Sequence, residues 1–590
     1  MQLSQEQSQA VLTASRNVLV IAGAGSGKTI VLIRRIIHLL ENCHASPYEI
    51  IALTFTRKAG GEMKDRLEKI AGPKSQNVTI GTFHSIALKM IQRFGEFIGL
   101  NPGKITIYST WEESFLLKNV CLELGYHTGK TFKGVKKSEI DDAFNLFYTK
   151  KQRNERNYIP NEIMDAFFGR CRENNALTYG MIMTSFLDLI PRIGHFLKFK
   201  HVLIDEVQDL DSVQWRIIKL ICSICDASLF AVGDQQQCIY QWRGSDPGYL
   251  IRNQDKFDIY KLADNYRSDG YIVEAANKLI KRNINRLDLK MNAVLEKVNK
   301  VNIFRNFDSA TIAFEIEKTL KESDGTLEKS GSIAVLARNH YLLEKLSALL
   351  TASKIDHEYL GKKTKFTQSE PFRRVHALLK LAVNPFDNFS FLLAKDYLDL
   401  TPIEYISIRM HAVSKNKSHF QVWRDDYAFL FRDKIELIKA IENQSFADVL
   451  DWMLGVTFEF DSVPVFDFID EYLESAHEPT IRDYLDWLAL YDVQDEISEE
   501  SKSLQLMTIH ASKGLEFSVV IIAGLNEGIL PSLRALKSQD ELESERRLAY
   551  VAFTRACDHL VLTSRPVEVE GKSSTPISRF INESLINAWG

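Results

Sequence analysis

The sequence predicts an α/β chain with two parallel-sheet cores, each interrupted by a mainly helical insertion. Three observations lead there. Short β-branched apolar runs recur, each followed by a polar or glycine-bearing loop and then an amphipathic segment, which is the pattern of parallel sheets with crossover helices. The runs fall into two clusters, one before residue 270 and one after residue 330. Two stretches, about 93 to 175 and about 387 to 499, lack the pattern and carry Phe, Tyr, Leu and Lys at helical spacing.

The first run, Val18 to Ile21, leads into a loop matching [AG]-x-x-x-x-G-K-[ST]: Ala22, Gly23, Ala24, Gly25, Ser26, Gly27, Lys28 and Thr29. Ile30 to Leu40 then reads as a helix. Small residues let backbone N–H groups curl round an anion, and the helix N-terminus adds partial positive charge. Lys28 would reach the β- and γ-phosphates, and the Thr29 hydroxyl would ligate Mg²⁺. A Gly-rich turn with an incidental lysine is the bland alternative, and the complete match between strand and helix weighs against it.

Further strand-like runs follow Ile50, His201, Leu229 and Ile259, and a second set follows Gly331, Leu504, Val519 and His559. The run HVLI ends in Asp205 and Glu206, within D-E-x-Q-D. A strand-end aspartate facing a phosphate loop can hold Mg²⁺, and its glutamate neighbour can accept a proton from water. The loop GDQQQCIYQWRG combines amides with Tyr240, Trp242 and Arg243. Amides can sense a γ-phosphate and aromatics can stack on bases, although taken alone these two rings read more often as core. Arg267 and Arg555 stand in separate segments and could converge on a phosphate as arginine fingers.

Composition narrows the class without choosing a partner. The 590 residues are 45% hydrophobic and 25% charged, ordinary for a globular chain of about four lobes. Net charge is −4, so a basic nucleic-acid groove would have to be local. No apolar run approaches a membrane span, and the first ten residues lack a signal-peptide pattern, so a cytoplasmic protein is expected. Seven cysteines make no disulfide framework, and Cys222 and Cys225 read as core residues of a helix. The basic stretches KKQRNER from Lys150 and GKKTK from Gly361 read as solvated faces.

Taken in order, these stretches resemble a superfamily 1A DNA helicase of the UvrD/Rep/PcrA type, over about residues 1 to 565. LSQEQSQAV is similar to the family's Q motif, with Gln7 implied at the adenine. Arg35 resembles the residue beside the base, Tyr266 is implied near it, and Glu516 towards the ribose. Gln237, Arg267 and Arg555 are implied at the γ-phosphate. The DNA-facing residues implied are Thr54, Phe55, Thr56, Thr82, His84, Tyr240, Trp242, Arg243, Thr508 and His510.

The resemblance implies two RecA-like lobes of the P-loop NTPase fold: 1A at 1–92 and 176–268, and 2A at 269–386 and 500–590. Helical insertions 1B and 2B would occupy 93–175 and 387–499. It implies ATP and Mg²⁺ as cofactors, single-stranded DNA and strand junctions as partners, and 3′–5′ movement coupled to unwinding. An ATPase switch subunit of a nuclease or defence complex is the other reading. Departures are Ile30 where arginine is frequent, Gly60 and Gly61 where alanines are usual, and a 2B region shorter than the family's.

Overall fold

The computed structural model describes residues 3–126, 131–132, 135–136, 158–304, 333–428, 434–455, 461–476, 479–496, 504–564 and 576–584. The basic stretch from Lys150 and the residues just after Ser564 lie outside them. Contacts gather the chain into two units: Met1–Thr82, Leu197–Lys362 and Val493–Gly590 form one, and Phe83–Phe196 with Lys363–Asp492 form the other.

The first unit holds two six-stranded sheets, both wholly parallel. In one, β1 (Asn17–Ala22), β2 (Ile50–Thr54), β3 (Thr79–Thr82), β4 (His201–Ile204), β5 (Ser228–Gly233) and β6 (Asp258–Leu262) run in the order β6–β1–β5–β4–β2–β3. In the other, β7 (Asn302–Phe304), β8 (Ile333–Ala337), β9 (His357–Tyr359), β10 (Leu504–Thr508), β11 (Phe517–Ala523) and β12 (Ala556–Thr563) run β7–β12–β11–β8–β10–β9. Every residue of β2, β8 and β11 is buried, which is why their sequences read as unbroken apolar runs. The edge strand β6 is largely exposed. The short strands β3, β7 and β9 lie outside the sequence expectation because they offer three or four residues each, with no fully apolar run.

Local chemistry sets the helix starts. Helix α1 (Gln5–Leu12) has a capping box in which Ser4 and Gln7 satisfy each other's backbone N–H groups. Helix α2 (Lys28–Glu41) buries Val31, Leu32, Ile36 and Leu39 on its sheet face. Helix α3 (Arg57–Ala71) is capped by Thr56, whose hydroxyl accepts from the Ala59 N–H. Gly60 and Gly61 both lie inside this helix. A Cβ on Gly60 would meet the Thr54 hydroxyl at 3.1 Å, whereas one on Gly61 would meet nothing within 4 Å.

Among the described residues, the second unit is mainly helical. Helix α4 (Phe83–Phe94) and the Tyr179–Ile193 helix belong to it, as does the helix Glu370–Val383. Its interior carries a polar joint between chain segments far apart in sequence. Lys380 pairs with Glu112, both almost wholly buried. Burial works against the Glu112 charge, but Lys380 and Arg373 outweigh it and hold the carboxyl below its ordinary range. Tyr108 donates to Asp387 Oδ1 at 2.6 Å, and the Asn384 amide donates to Thr106 Oγ1 at 2.9 Å and to the Asn174 carbonyl at 2.8 Å.

Two stability outcomes follow from these contacts. Lys380→Met leaves Glu112 buried without its main partner and should cost about 3–5 kcal/mol in denaturant unfolding. Gly61→Ala adds a methyl in open space and should stabilise the chain by about 0.5–1 kcal/mol, read as a raised melting temperature.

Candidate active site

The phosphate-loop sequence forms a cradle at the carboxyl end of β1. The Gly23 N–H donates to the Leu262 carbonyl at 3.0 Å, and Ser26 Oγ donates back to the Gly23 carbonyl at 2.8 Å. Gly25 and Gly27 have φ of 67° and 80°, the left-handed region that side chains disfavour. Gly27 is the N-cap of α2, so Lys28 and Thr29 fill its first turn, where free N–H groups and the helix dipole favour an anion. Gln7 closes the cradle from α1: its Nε2 donates to the Ser26 carbonyl at 3.0 Å and its Oε1 accepts from the Ser4 N–H at 2.9 Å.

The neighbouring strand ends supply carboxylates. Lys28 Nζ lies 2.8 Å from Glu206 Oε1. Burial pushes the ammonium pKa down, and the charges of Glu206, Asp234 and Asp205 outweigh it, leaving Lys28 above its ordinary range. Asp205 is pushed up by burial and by the adjacent Glu206 charge. Burial pushes Glu206 the same way, but Lys28 and Lys513 overcome it and keep Glu206 ionised. Glu206 adopts a left-handed backbone, φ 51°, which costs about 1 kcal/mol or more for a non-glycine residue. Its N–H donates to Asp205 Oδ1 at 2.9 Å, and the Gln208 amide donates to its carboxylate.

After β5, Asp234 caps a single 3₁₀ turn, Gln235–Gln237, accepting from the Gln236 N–H at 2.9 Å and from the Gln237 amide at 2.9 Å. Gln208 Oε1 accepts from the Asp234 N–H at 3.0 Å, and a Cβ on Gly233 would lie 2.2 Å from that oxygen. The loops after β4 and β5 are thus joined by side-chain hydrogen bonds, with glycine required at the crossing.

The second sheet contributes cations to the same place. Lys513 is buried against Asp209, and its Nζ donates to the Gln237 carbonyl at 2.8 Å. Arg555 is buried, donating to the Val551 carbonyl at 3.1 Å, the Leu515 carbonyl at 2.9 Å and Gln237 Oε1 at 3.5 Å. Burial and the nearby Arg267 charge push the Arg555 pKa down to about 9. Arg267 Nε lies 2.7 Å from Glu516, and Arg267 Nη1 donates to the Thr554 carbonyl at 3.3 Å. Two guanidiniums within range of each other beside a glycine cradle make a place suited to a polyanion. Tyr266 is half-exposed beside them.

An aromatic face lies on the far side of the Gln235–Gln237 turn. Phe55 stacks on Tyr240 with centroids 4.8 Å apart. Trp242 meets His510 edge-on at 6.4 Å, and Arg243 lies over the Trp242 ring at 4.7 Å. Burial and the charges of Arg338, Arg243 and Lys513 push the His510 pKa down to about 4, so its imidazole is neutral at pH 7. Trp242 is 67% exposed and Tyr240 only 7%. The Thr508 hydroxyl accepts from the Ala511 N–H at 3.3 Å at the end of β10. In the second unit, His84 stacks on Tyr179 at 4.0 Å.

Other expected site residues are placed as follows. Arg35 is buried, and its Nη1 donates to the Val11 and Thr13 carbonyls at 2.7 Å each. It holds the C-terminal end of α1, where carbonyls carry partial negative charge. Tyr240 is a supporting ring beneath the face, with Phe55 on its surface, and Trp242 is the ring with an open side. Thr54 is buried and donates to the Thr56 carbonyl at 3.0 Å, while Thr82 is buried at the end of β3.

Sequence reasoning missed Lys513, Asp209, Asp234, Tyr550 and Tyr179. Asp209 and Lys513 stand inside the quoted stretches D-E-x-Q-D and LMTIHASKGLEF, but nothing local pairs them across 304 positions. Tyr550 donates to Asp234 Oδ2 at 3.3 Å from the helix Gln539–Phe553, which ends just before Arg555.

Comparison with known proteins agrees with this geometry. The family described as UvrD/REP helicase N-terminal domain matches residues 3–258, and the UvrD-like helicase C-terminal domain matches 260–439 and 463–565. The ATP-dependent DNA helicase PcrA of Bacillus subtilis is 28% identical, matched over 98% of this chain and 85% of its own length. PcrA of Staphylococcus aureus is 29% identical over 98% of this chain and 86% of its own. With the phosphate loop, the strand-end carboxylates and both arginines gathered at one place, the chain belongs to the UvrD/Rep family of DNA helicases, a family of ATP-hydrolysing enzymes.

Proposed function

We propose that the chain is a DNA-dependent ATPase that moves 3′–5′ along single-stranded DNA and unwinds duplex in DNA repair, replication or related processing. The two parallel sheets of the first unit would be lobes 1A and 2A, and the helical segments would supply 1B and 2B. One observation carries the reading: a single short loop joins the phosphate site to the aromatic face. Asp234 and Gln237 stand beside the carboxylates and Arg555, and three residues later Tyr240 lies under Phe55, near Trp242 and His510.

The residues present fit ATP and Mg²⁺. The cradle has two glycines of positive φ, and Asp205 with the Thr29 hydroxyl makes a one-carboxylate, one-hydroxyl set. Mg²⁺ commonly takes few protein ligands and completes its shell with phosphate oxygens and water. When bound, the nucleotide and its metal supply the transferable phosphoryl group and neutralise its charge.

The protein groups would act as follows. Lys28 exchanges Glu206 for the phosphate oxygens. That leaves Glu206 a stronger base, able to take a proton from the attacking water. Arg267 and Arg555 stabilise charge on the transferring group. Gln237, held by Asp234 and Arg555, feels the change and passes it to the loop under Tyr240. Trp242 offers its open ring to an unpaired base, with Arg243 beside it for the backbone.

Steady-state ATP hydrolysis without nucleic acid, with single-stranded DNA and with blunt duplex tests this directly. Single-stranded DNA should stimulate turnover, and Lys28→Ala should abolish it. Hydrolysis indifferent to DNA, with no DNA binding, would instead favour an ATPase switch within a nuclease or defence complex. Trp242→Ala should weaken single-stranded DNA binding by about 1–3 kcal/mol, measured by fluorescence anisotropy, while DNA-free hydrolysis stays near the parent rate.

A further inference from the structure

After β6 the chain leaves the first sheet through a short connector, Ala263 to Asp269, which ends at the helix Gly270–Ile280. Its first half is bonded to the phosphate loop. Asn265 Nδ2 donates to the Ala24 carbonyl at 2.7 Å, and the Tyr266 N–H donates to the Gly25 carbonyl at 3.0 Å. Its second half is bonded to the start of β12. Ser268 Oγ donates to the Ala556 carbonyl at 2.7 Å, and the Asp269 N–H donates to the Cys557 carbonyl at 2.7 Å.

Asn265 stands where these two halves meet. It is 1% exposed. While its Nδ2 holds the phosphate loop, its Oδ1 accepts from the Arg267 N–H at 3.0 Å and the Ser268 N–H at 2.9 Å. The approach is close enough that a Cβ on Gly25 would lie 2.8 Å from Asn265 Nδ2 and 2.7 Å from Arg267 Cβ. Gly25 therefore serves this docking as well as any anion.

We propose that Asn265 is a positioning residue for ATP hydrolysis. Its carboxamide sets the register between the phosphate loop and both arginines, Arg267 directly and Arg555 through the connector's bonds to β12. Only an amide offers a donor on one side and an acceptor on the other at this size. The inference rests on the ATPase reading above.

The test compares Asn265→Ala, Asn265→Ser, Arg267→Ala and the double variant Asn265→Ala/Arg267→Ala in the full chain. It measures kcat and KM for ATP with saturating single-stranded DNA, and thermal melting. A serine hydroxyl can still accept from the two turn N–H groups but does not span to Ala24. Both Asn265 variants should lose about 10²-fold in kcat, because small misplacements of a catalytic group have that cost, with KM within about threefold. Asn265→Ser should melt near the parent temperature. In the Arg267→Ala background, Asn265→Ala should lower kcat by clearly less than in the parent, because the part of its effect that runs through Arg267 is already lost. Wild-type kcat in Asn265→Ser, or full additivity in the double variant, overturns the proposal and leaves the ATPase reading standing. A parent chain that does not hydrolyse ATP overturns both.

Discussion

Four carboxylates crowd the carboxyl ends of two adjacent strands, and the first unit is arranged around neutralising them. Asp205, Glu206 and Asp209 follow β4, and Asp234 follows β5. Asp205, Asp209 and Asp234 are almost wholly buried. Burial works against the charge on each of these carboxyls, and two lysines oppose it. One, Lys28, comes from the helix that follows β1 in the same sheet; the other, Lys513, comes from the loop after β10 in the second sheet. These pairings thereby tie both sheets to one spot.

That requirement also explains the loop between the chemistry and the aromatic face. A flexible link between Asp234 and Tyr240 would dissipate any movement at the phosphate end. Instead the turn is one 3₁₀ helix, capped by Asp234, with its backbone oxygen at Gln237 bonded to Lys513 and its side chain facing Arg555. Tyr240 in turn donates to the His510 carbonyl at 3.3 Å, which anchors the other end on the second sheet. Each end of the turn therefore touches a group from the opposite sheet.

The second unit uses buried polarity differently. Lys380 pairs with Glu112, Tyr108 with Asp387, and Asn384 with Thr106 and Asn174, all of them nearly or wholly buried. Apolar replacements could match them in stability, but they would not demand one pairing of helices. Segments more than 260 positions apart, such as Glu112 and Lys380, are held in a single register by this joint.

The local code was legible wherever one stretch of chain carries both its own structure and its own chemistry. The phosphate loop between an apolar strand and a helix, Asp205 and Glu206 at a strand end, and the fully buried strands announce themselves because period and composition are local properties. Short strands such as β3 and β9 did not, since three or four partly polar residues at a sheet margin have no period to read. For Arg35 the family resemblance implied a place beside the base, and only the packing of α1 on α2 reveals that its guanidinium bonds backbone carbonyls. By itself the sequence determined two parallel α/β sheets, a phosphate cradle and its flanking acid pair. Only the tertiary structure decided that Lys513 meets Asp209, that Tyr240 is sheltered while Trp242 is open, and that Asn265 bridges to Ala24. These are pairings between residues distant in the chain, and such pairings exist only after the sheets have closed on each other.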